Sequence, residues 1–134
     1  MHMSEDTYLV TGAMGCLGSW VIRLLLEDGC EVVALDISED DRRHQLIIEP
    51  EHRKRINYVK GDLTDPEQVI SATEGVSRII HLGALQVPFC RTDRPMGAAV
   101  NVVGTVNVFE AALHHSIEHL VYASSVAVFG NAED

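Results

Sequence analysis

"YLVTGAMGCLGSW", residues 8–20, decides the fold. A strand-sized apolar run, Tyr8 to Thr11, gives way to Gly12, Gly15 and Gly18, spaced three apart. Leu17, Val21, Leu24 and Leu25 then recur at helical spacing until Gly29 ends the segment. The first glycine permits a tight turn, and the second lets backbone approach a pyrophosphate. The third lets the helix pack closely on the strand. N–H groups at a helix start have no partner inside the helix, and the helix dipole adds to their attraction for phosphate.

A glycine triplet alone is weak, because glycine turns between strand and helix are common. Here an acid follows at the spacing the motif requires: Asp36 closes a second β-rich run, "EVVALD", residues 31–36. A carboxylate there accepts hydrogen bonds from the adenosine ribose hydroxyls and repels a 2′-phosphate. The plainer role for Asp36 is to cap the next turn at Ser38. Arg42 and Arg43 lie close enough to keep a 2′-phosphate, and hence NADP, as the second choice behind NAD.

The rest of the chain repeats the alternation. "INYVKGD" (residues 56–62) is a strand, and Asp65-Pro66 opens a short helix through Thr73, an Asx cap with proline at the first helical position. "SRIIHL" (77–82) is a fourth strand, residues 95–116 form a long helix, and "HLVYAS" (119–124) is a fifth strand. Strands alternating with helices build a parallel sheet covered on both faces, and near-continuous apolar strands fit that burial. The expectation is a Rossmann-type doubly wound α/β domain over residues 1–134, truncated after its fifth strand.

Composition excludes several classes. With 134 residues and 46% hydrophobic content the chain suffices for one domain and not two. A formal net charge of -10 argues against nucleic acid or an anionic membrane surface as partner. Five of the ten basic residues (Arg42, Arg43, Arg53, Lys54, Arg55) fall between residues 38 and 55 among five acids, which reads as a solvated, locally neutral excursion. Cys16, Cys30 and Cys90 suggest neither a disulfide frame nor a zinc site, and reduced thiols point to the cytoplasm. The N-terminus lacks the pattern of a secretory signal, and no apolar stretch is expected to span a bilayer. His114, His115 and His119 straddle a helix end and a strand start, so a metal site is not expected; His81 reads as a packed strand-end histidine.

Five motifs in order resemble the extended short-chain dehydrogenase/reductases, in particular the NAD-dependent epimerase/dehydratase family of nucleotide-sugar enzymes. "TGAMGCLGS" (11–19) resembles its T-G-x-x-G-x-x-G, and "GDLTD" (61–65) its adenine-side motif. "HLGA" (81–84), "NVVGTVNVFEAA" (101–112) and "ASSVAVFG" (123–130) are similar to its H-x-A-A, N-V-x-G-T and S-S-x-x-V-Y-G, with Phe129 replacing the last motif's tyrosine. The resemblance implies that Cys16 and Leu17 touch the cofactor beside the glycines and that Asp62 meets the adenine amino group with Leu63 alongside. It further implies that Leu82, Gly83 and Ala84 line the pyrophosphate and nicotinamide-ribose side, and that Asn101 faces the cofactor from the long helix. Ser125 matches the catalytic serine that hydrogen-bonds the reacting hydroxyl or carbonyl of a small-molecule substrate.

In the family that serine acts with a Tyr-x-x-x-Lys pair: the phenol transfers a proton, its pKa lowered by the ammonium, while the nicotinamide takes or returns hydride. The tyrosines are Tyr8, Tyr58 and Tyr122 and the lysines Lys54 and Lys60, so no such pair exists. The chain therefore reads as the cofactor-binding part of such an enzyme, binding dinucleotide weakly at best and not turning over; a homodimer is open only for a longer form. The fifth strand is then expected to be an unprotected edge. The competing reading from another class is a catalytically silent NAD-binding sensor or partner-binding module.

Overall fold

A computed structural model describes residues 6–130. Residues 1–5 and 131–134, which include the start of the N-terminal segment considered above and the end of "HLVYASSVAVFGNAED", lie outside the described residues. Five strands, β1 (Thr7–Thr11), β2 (Glu31–Asp36), β3 (Ile56–Lys60), β4 (Arg78–His81) and β5 (His119–Tyr122), form one sheet. Every pairing is parallel, in the order β3-β2-β1-β4-β5. The chain winds outward from β1 to β3, then returns to place β4 on β1's other side. The carboxyl ends of β1 and β4 therefore flank the crevice where such sheets bind ligands.

The two-sided burial expected of the strands is present in β1 and β2 but not in the outer strands β3 and β5, which are mostly exposed, and the period of two sets which side chains face which layer. Leu9, Val33, Leu35 and Ile79 face one layer with Val69 and Ala72 of α4 (Pro66–Ala72) and Val108, Ala111 and Ala112 of α7 (Gly104–His114). Val10, Val32 and Ala34 face the other, against Ile22 and Leu26 of α1 (Cys16–Glu27). The doubly wound α/β fold is thus observed. Asp65 accepts from the N–H groups of Glu67 and Gln68, and Pro66 opens α4, as the Asx-proline pattern requires.

Two expectations need correction. The segment 38–55 is not a purely solvated excursion. It folds into α2 (Arg42–Ile47) and α3 (Pro50–Arg53), and it buries His44 completely and Ile48 nearly so. Charged residues dominate its outer face, which is what the composition registered; the inward residues are too few to produce a periodic signal. The expectation that no apolar stretch could span a bilayer also fails on length and composition: the helix Arg94–His114 has a mean hydropathy of 1.4. Its Gly104, Asn107, Val108, Ala111 and Ala112 are buried, so one face of it belongs to the domain core.

That long helix begins as α6 (Arg94–Ala98) after α5 (Val87–Thr92), widens into a π turn at Ala99–Val103, and continues as α7. Asn101 sits in the π turn, a feature common beside functional sites. Beyond β5 a 3₁₀ turn covers Val126–Phe129.

Candidate functional site

The glycine loop joins β1 to α1 at the crevice, and its shape depends on two glycines lacking side chains. Gly12 has φ +67°, and a Cβ there would stand 2.9 Å from the Gly83 backbone. A Cβ on Gly18 would lie 2.2 Å from the Gly12 carbonyl oxygen, so only glycine lets α1 start this close to the turn. The loop's peptides are then tied down individually. The Met14 N–H donates to Asp36 Oδ2 at 2.9 Å, and the Ala13 carbonyl accepts from His44 Nε2 at 2.9 Å. The Met14 carbonyl accepts from Arg43 at 2.9 Å, and the Gly15 N–H returns to the Gly12 carbonyl at 3.1 Å.

Asp36 therefore works locally in two ways. Its Oδ1 accepts from the Ser38 N–H at 2.9 Å, the plain capping role, while its Oδ2 reaches the glycine loop. Of the two nearby arginines, Arg42 pairs with Asp40 at the surface, where that partner holds the Asp40 carboxyl down to about 2. Arg43 faces the crevice. Asp62 folds back on its own turn, its Oδ1 accepting from the Thr64 N–H at 2.9 Å and hydroxyl at 2.8 Å.

Across the crevice, the Thr11 hydroxyl oxygen accepts the Leu82 and Gly83 N–H groups at 3.1 and 3.0 Å and lies 2.6 Å from His81 Nδ1. With two acceptor positions filled by N–H groups, the Thr11 hydroxyl donates to Nδ1, which leaves the His81 proton on Nε2, 3.0 Å from the Thr105 hydroxyl. His81 is fully buried, and burial lowers its pKa to about 4, so it is a packed neutral histidine as its sequence position implied. Asn101 takes both polar groups of Leu85, accepting its N–H at 2.7 Å and donating to its carbonyl at 2.9 Å. Cys90 Sγ donates to the same carbonyl at 3.2 Å.

These groups enclose a cleft of about 690 Å³. Eleven of the thirteen candidate residues line it together: Gly12, Gly15, Cys16, Leu17, Gly18, Asp36, Asp62, Leu63, Leu82, Gly83 and Ala84. Asn101 and Ser125 do not. Asn101 lies one step behind the wall, its amide engaged with Leu85. Ser125 is two residues beyond Ala123, which does line the cleft; it is exposed and accepts the Ala127 N–H at 3.2 Å. Met14, Leu85, Met96 and Val100 also line the wall without a signal in the sequence, and His44 supports it from a helix hidden among charges. Among the described residues no cluster of His, Cys, Asp or Glu is placed to hold a metal, and His115 Nε2 is 2.9 Å from the Ile70 carbonyl.

Parallel topology, switch-point crevice and glycine loop together define a Rossmann-type domain, and the relatives it matches make it part of an extended short-chain dehydrogenase/reductase. The chain belongs to the 3-beta hydroxysteroid dehydrogenase/isomerase family, whose model matches residues 9–134. It is 35% identical over 126 residues to the 3 beta-hydroxysteroid dehydrogenase/Delta 5-->4-isomerase of Vaccinia virus, covering 92% of this chain and 35% of that protein. It is 37% identical over 119 residues to the UDP-glucose 4-epimerase of Mycolicibacterium smegmatis, covering 87% and 38%. The UDP-glucose 4-epimerase of Thermus thermophilus, solved in complex with NAD, superposes with a TM-score of 0.74 at 30% identity, covering 89% of this chain and 37% of that one. The chain thus spans about a third of the length of the curated relatives it matches.

Proposed function

We propose that this chain is the NAD-binding portion of an oxidoreductase that passes a hydride between the nicotinamide ring and a hydroxyl or carbonyl compound. The observation that carries the reading is the convergence of glycine loop, Asp36 and the Leu82–Ala84 turn on one cleft at the sheet's switch point. The cradle fits a pyrophosphate, since a Cβ at Gly18 would close the turn from which α1 presents its first N–H groups. Asp36 accepts the ribose hydroxyls, Asp62 and Leu63 meet the adenine, and Cys16 and Leu17 close over the phosphates. NAD is favoured over NADP because the Asp36 carboxylate opposes a 2′-phosphate, while Arg42 and Arg43 are already engaged with Asp40 and Met14. Bound NAD supplies the hydride acceptor, with Ala84 and its neighbours beside the nicotinamide ribose.

Ser125 is the residue proposed to bind the reacting oxygen, and Asn101 supports the wall through Leu85. The Tyr-x-x-x-Lys pair that would move the proton is not among the 134 residues, so this chain alone is expected to show no turnover. A nucleotide sugar is the first substrate class, by likeness to the epimerases. An apolar ring alcohol is the second, favoured by the family match and by Leu85, Met96 and Val100 on the cleft wall. All three cysteines are free, which suits the reducing cytoplasm. Titration with NADH and NADPH, followed by fluorescence, tests the reading. Tighter NADH binding supports it; a folded chain that binds neither, or prefers NADPH, overturns it.

A further inference from the structure

The Ala13–Met14 peptide is one rigid planar unit, and both its polar ends are held by side chains from outside the glycine loop. Asp36 at the end of β2 takes the N–H, and His44 of α2 takes the carbonyl, each at 2.9 Å. A carbonyl only accepts, so His44 Nε2 must carry a proton. The other ring nitrogen, Nδ1, lies 3.1 Å from the Tyr58 hydroxyl on β3. In the neutral ring Nδ1 is an acceptor, so Tyr58 donates to it and fixes the tautomer. The relay runs from the Tyr58 hydroxyl through the imidazole to the Ala13 carbonyl, linking the edge strand to the phosphate loop. His44 is fully buried, its two nitrogens are both used, and no step assigned above requires it.

The geometry points to His44 as a positioning residue for dinucleotide binding: held in its Nε2–H form by Tyr58, it stops the Ala13–Met14 peptide from flipping and so presets the loop for the pyrophosphate. The inference rests on the NAD reading of the same cleft. Without the His44 bond the carbonyl has, among the described residues, only the Ser19 hydroxyl within reach, at 3.4 Å. The peptide is then restrained by the Asp36 bond at its N–H end alone, it rotates more readily, and the binding-competent fraction falls. Apparent affinity falls in proportion to that fraction. Holding the carbonyl on α2 also keeps a negative dipole end turned away from the anionic ligand.

Two substitutions separate the ring's halves. A glutamine amide nitrogen extends about as far as Nε2, so His44→Gln keeps the donor to Ala13 and loses the acceptor for Tyr58. Tyr58 is 40% exposed and turns to water. Asparagine reaches only as far as Nδ1, so His44→Asn keeps the Tyr58 partner and abandons the carbonyl. NADH affinity of the full chain is measured beside thermal midpoints and exchange of the Met14 amide. Affinity in His44→Gln is expected within about threefold of the parent, and in His44→Asn about tenfold weaker with a faster-exchanging Met14 amide. Equal affinities in the two variants, or losses that follow the thermal midpoint alone, overturn the inference. ¹⁵N shifts of the parent histidine give an independent check that needs no new variant: a protonated Nε2 and bare Nδ1 are expected, and the opposite tautomer overturns it. A parent that binds no NADH sinks the functional reading instead, and the Met14 amide then still decides whether His44 holds the loop.

Discussion

The two ends of the candidate site are built very differently. At the glycine loop, consecutive peptide groups are bound by Asp36, His44, Arg43 and Gly12, with His44 buried, Asp36 half-buried and Arg43 exposed. Among the described residues the Ser125 side chain bonds only the Ala127 N–H in its own 3₁₀ turn, and Val126, Val128 and Phe129 are exposed, Phe129 by 87%. Preorganisation needs contacts that over-determine a conformation, and the described residues provide them at one end only. The half proposed for the cofactor is held in place by the described residues; the half proposed for chemistry is not.

Breaking the glycine-loop end should have the largest effect. Gly18→Val forces a side chain into the Gly12 carbonyl, and no rotamer relieves a clash with backbone at 2.2 Å. Loss of several kcal/mol is expected, on the order of 3 or more, with NADH binding abolished; thermal unfolding and NADH titration check it. Acid should come next. His81 has its folded pKa lowered to about 4 from an ordinary 6.5 by burial. Between those values the unfolded chain takes a proton that the folded chain refuses. Stability is therefore complete above about pH 6.5, declines as pH falls toward 4, and loses at most about 3 kcal/mol. Urea midpoints over that range should fall less steeply in His81→Asn, whose side chain does not titrate, than in the parent.

Asp36→Asn sharpens the comparison at the adenosine edge. The amide keeps one acceptor for Met14 or Ser38 and removes the negative charge. About a tenfold weaker NADH affinity is expected, with a smaller loss for NADPH, so the ratio of the two should move toward NADPH. Unchanged discrimination would assign Asp36 to loop support alone.

The glycine-loop end was also the legible one. Gly12, Gly15, Gly18 and Asp36 are visible because each answers a backbone constraint at fixed spacing, and glycine and a strand-end acid are hard to replace there. The Asx-proline start of α4 is legible for the same reason. His44 was not, since its partner Ala13 is 31 positions away and α2 has a single fully buried side chain in a run of charges. Asn101 shows the limit of a motif match. The resemblance implied that this residue faces the cofactor from the long helix; its amide holds the Leu85 backbone behind the cleft wall, and local spacing carries no information about that choice.

The smallest effect on stability should come from the unsupported end, and it carries the sharpest test of the contrast. β5 is the sheet's edge, with Val121 and Tyr122 exposed, and the apolar side chains of the following 3₁₀ turn extend that surface. Exposed apolar groups on an unpaired edge promote self-association rather than folding. Phe129→Ser removes a side chain with almost no buried area, so the unfolding free energy should change by less than about 0.5 kcal/mol. Self-association, read by sedimentation at increasing concentration, should nevertheless drop, while NADH affinity stays within about twofold because Phe129 does not line the cleft. A large loss of stability would mean that Phe129 packs against something in solution, and the two ends would then be less different than their contacts imply.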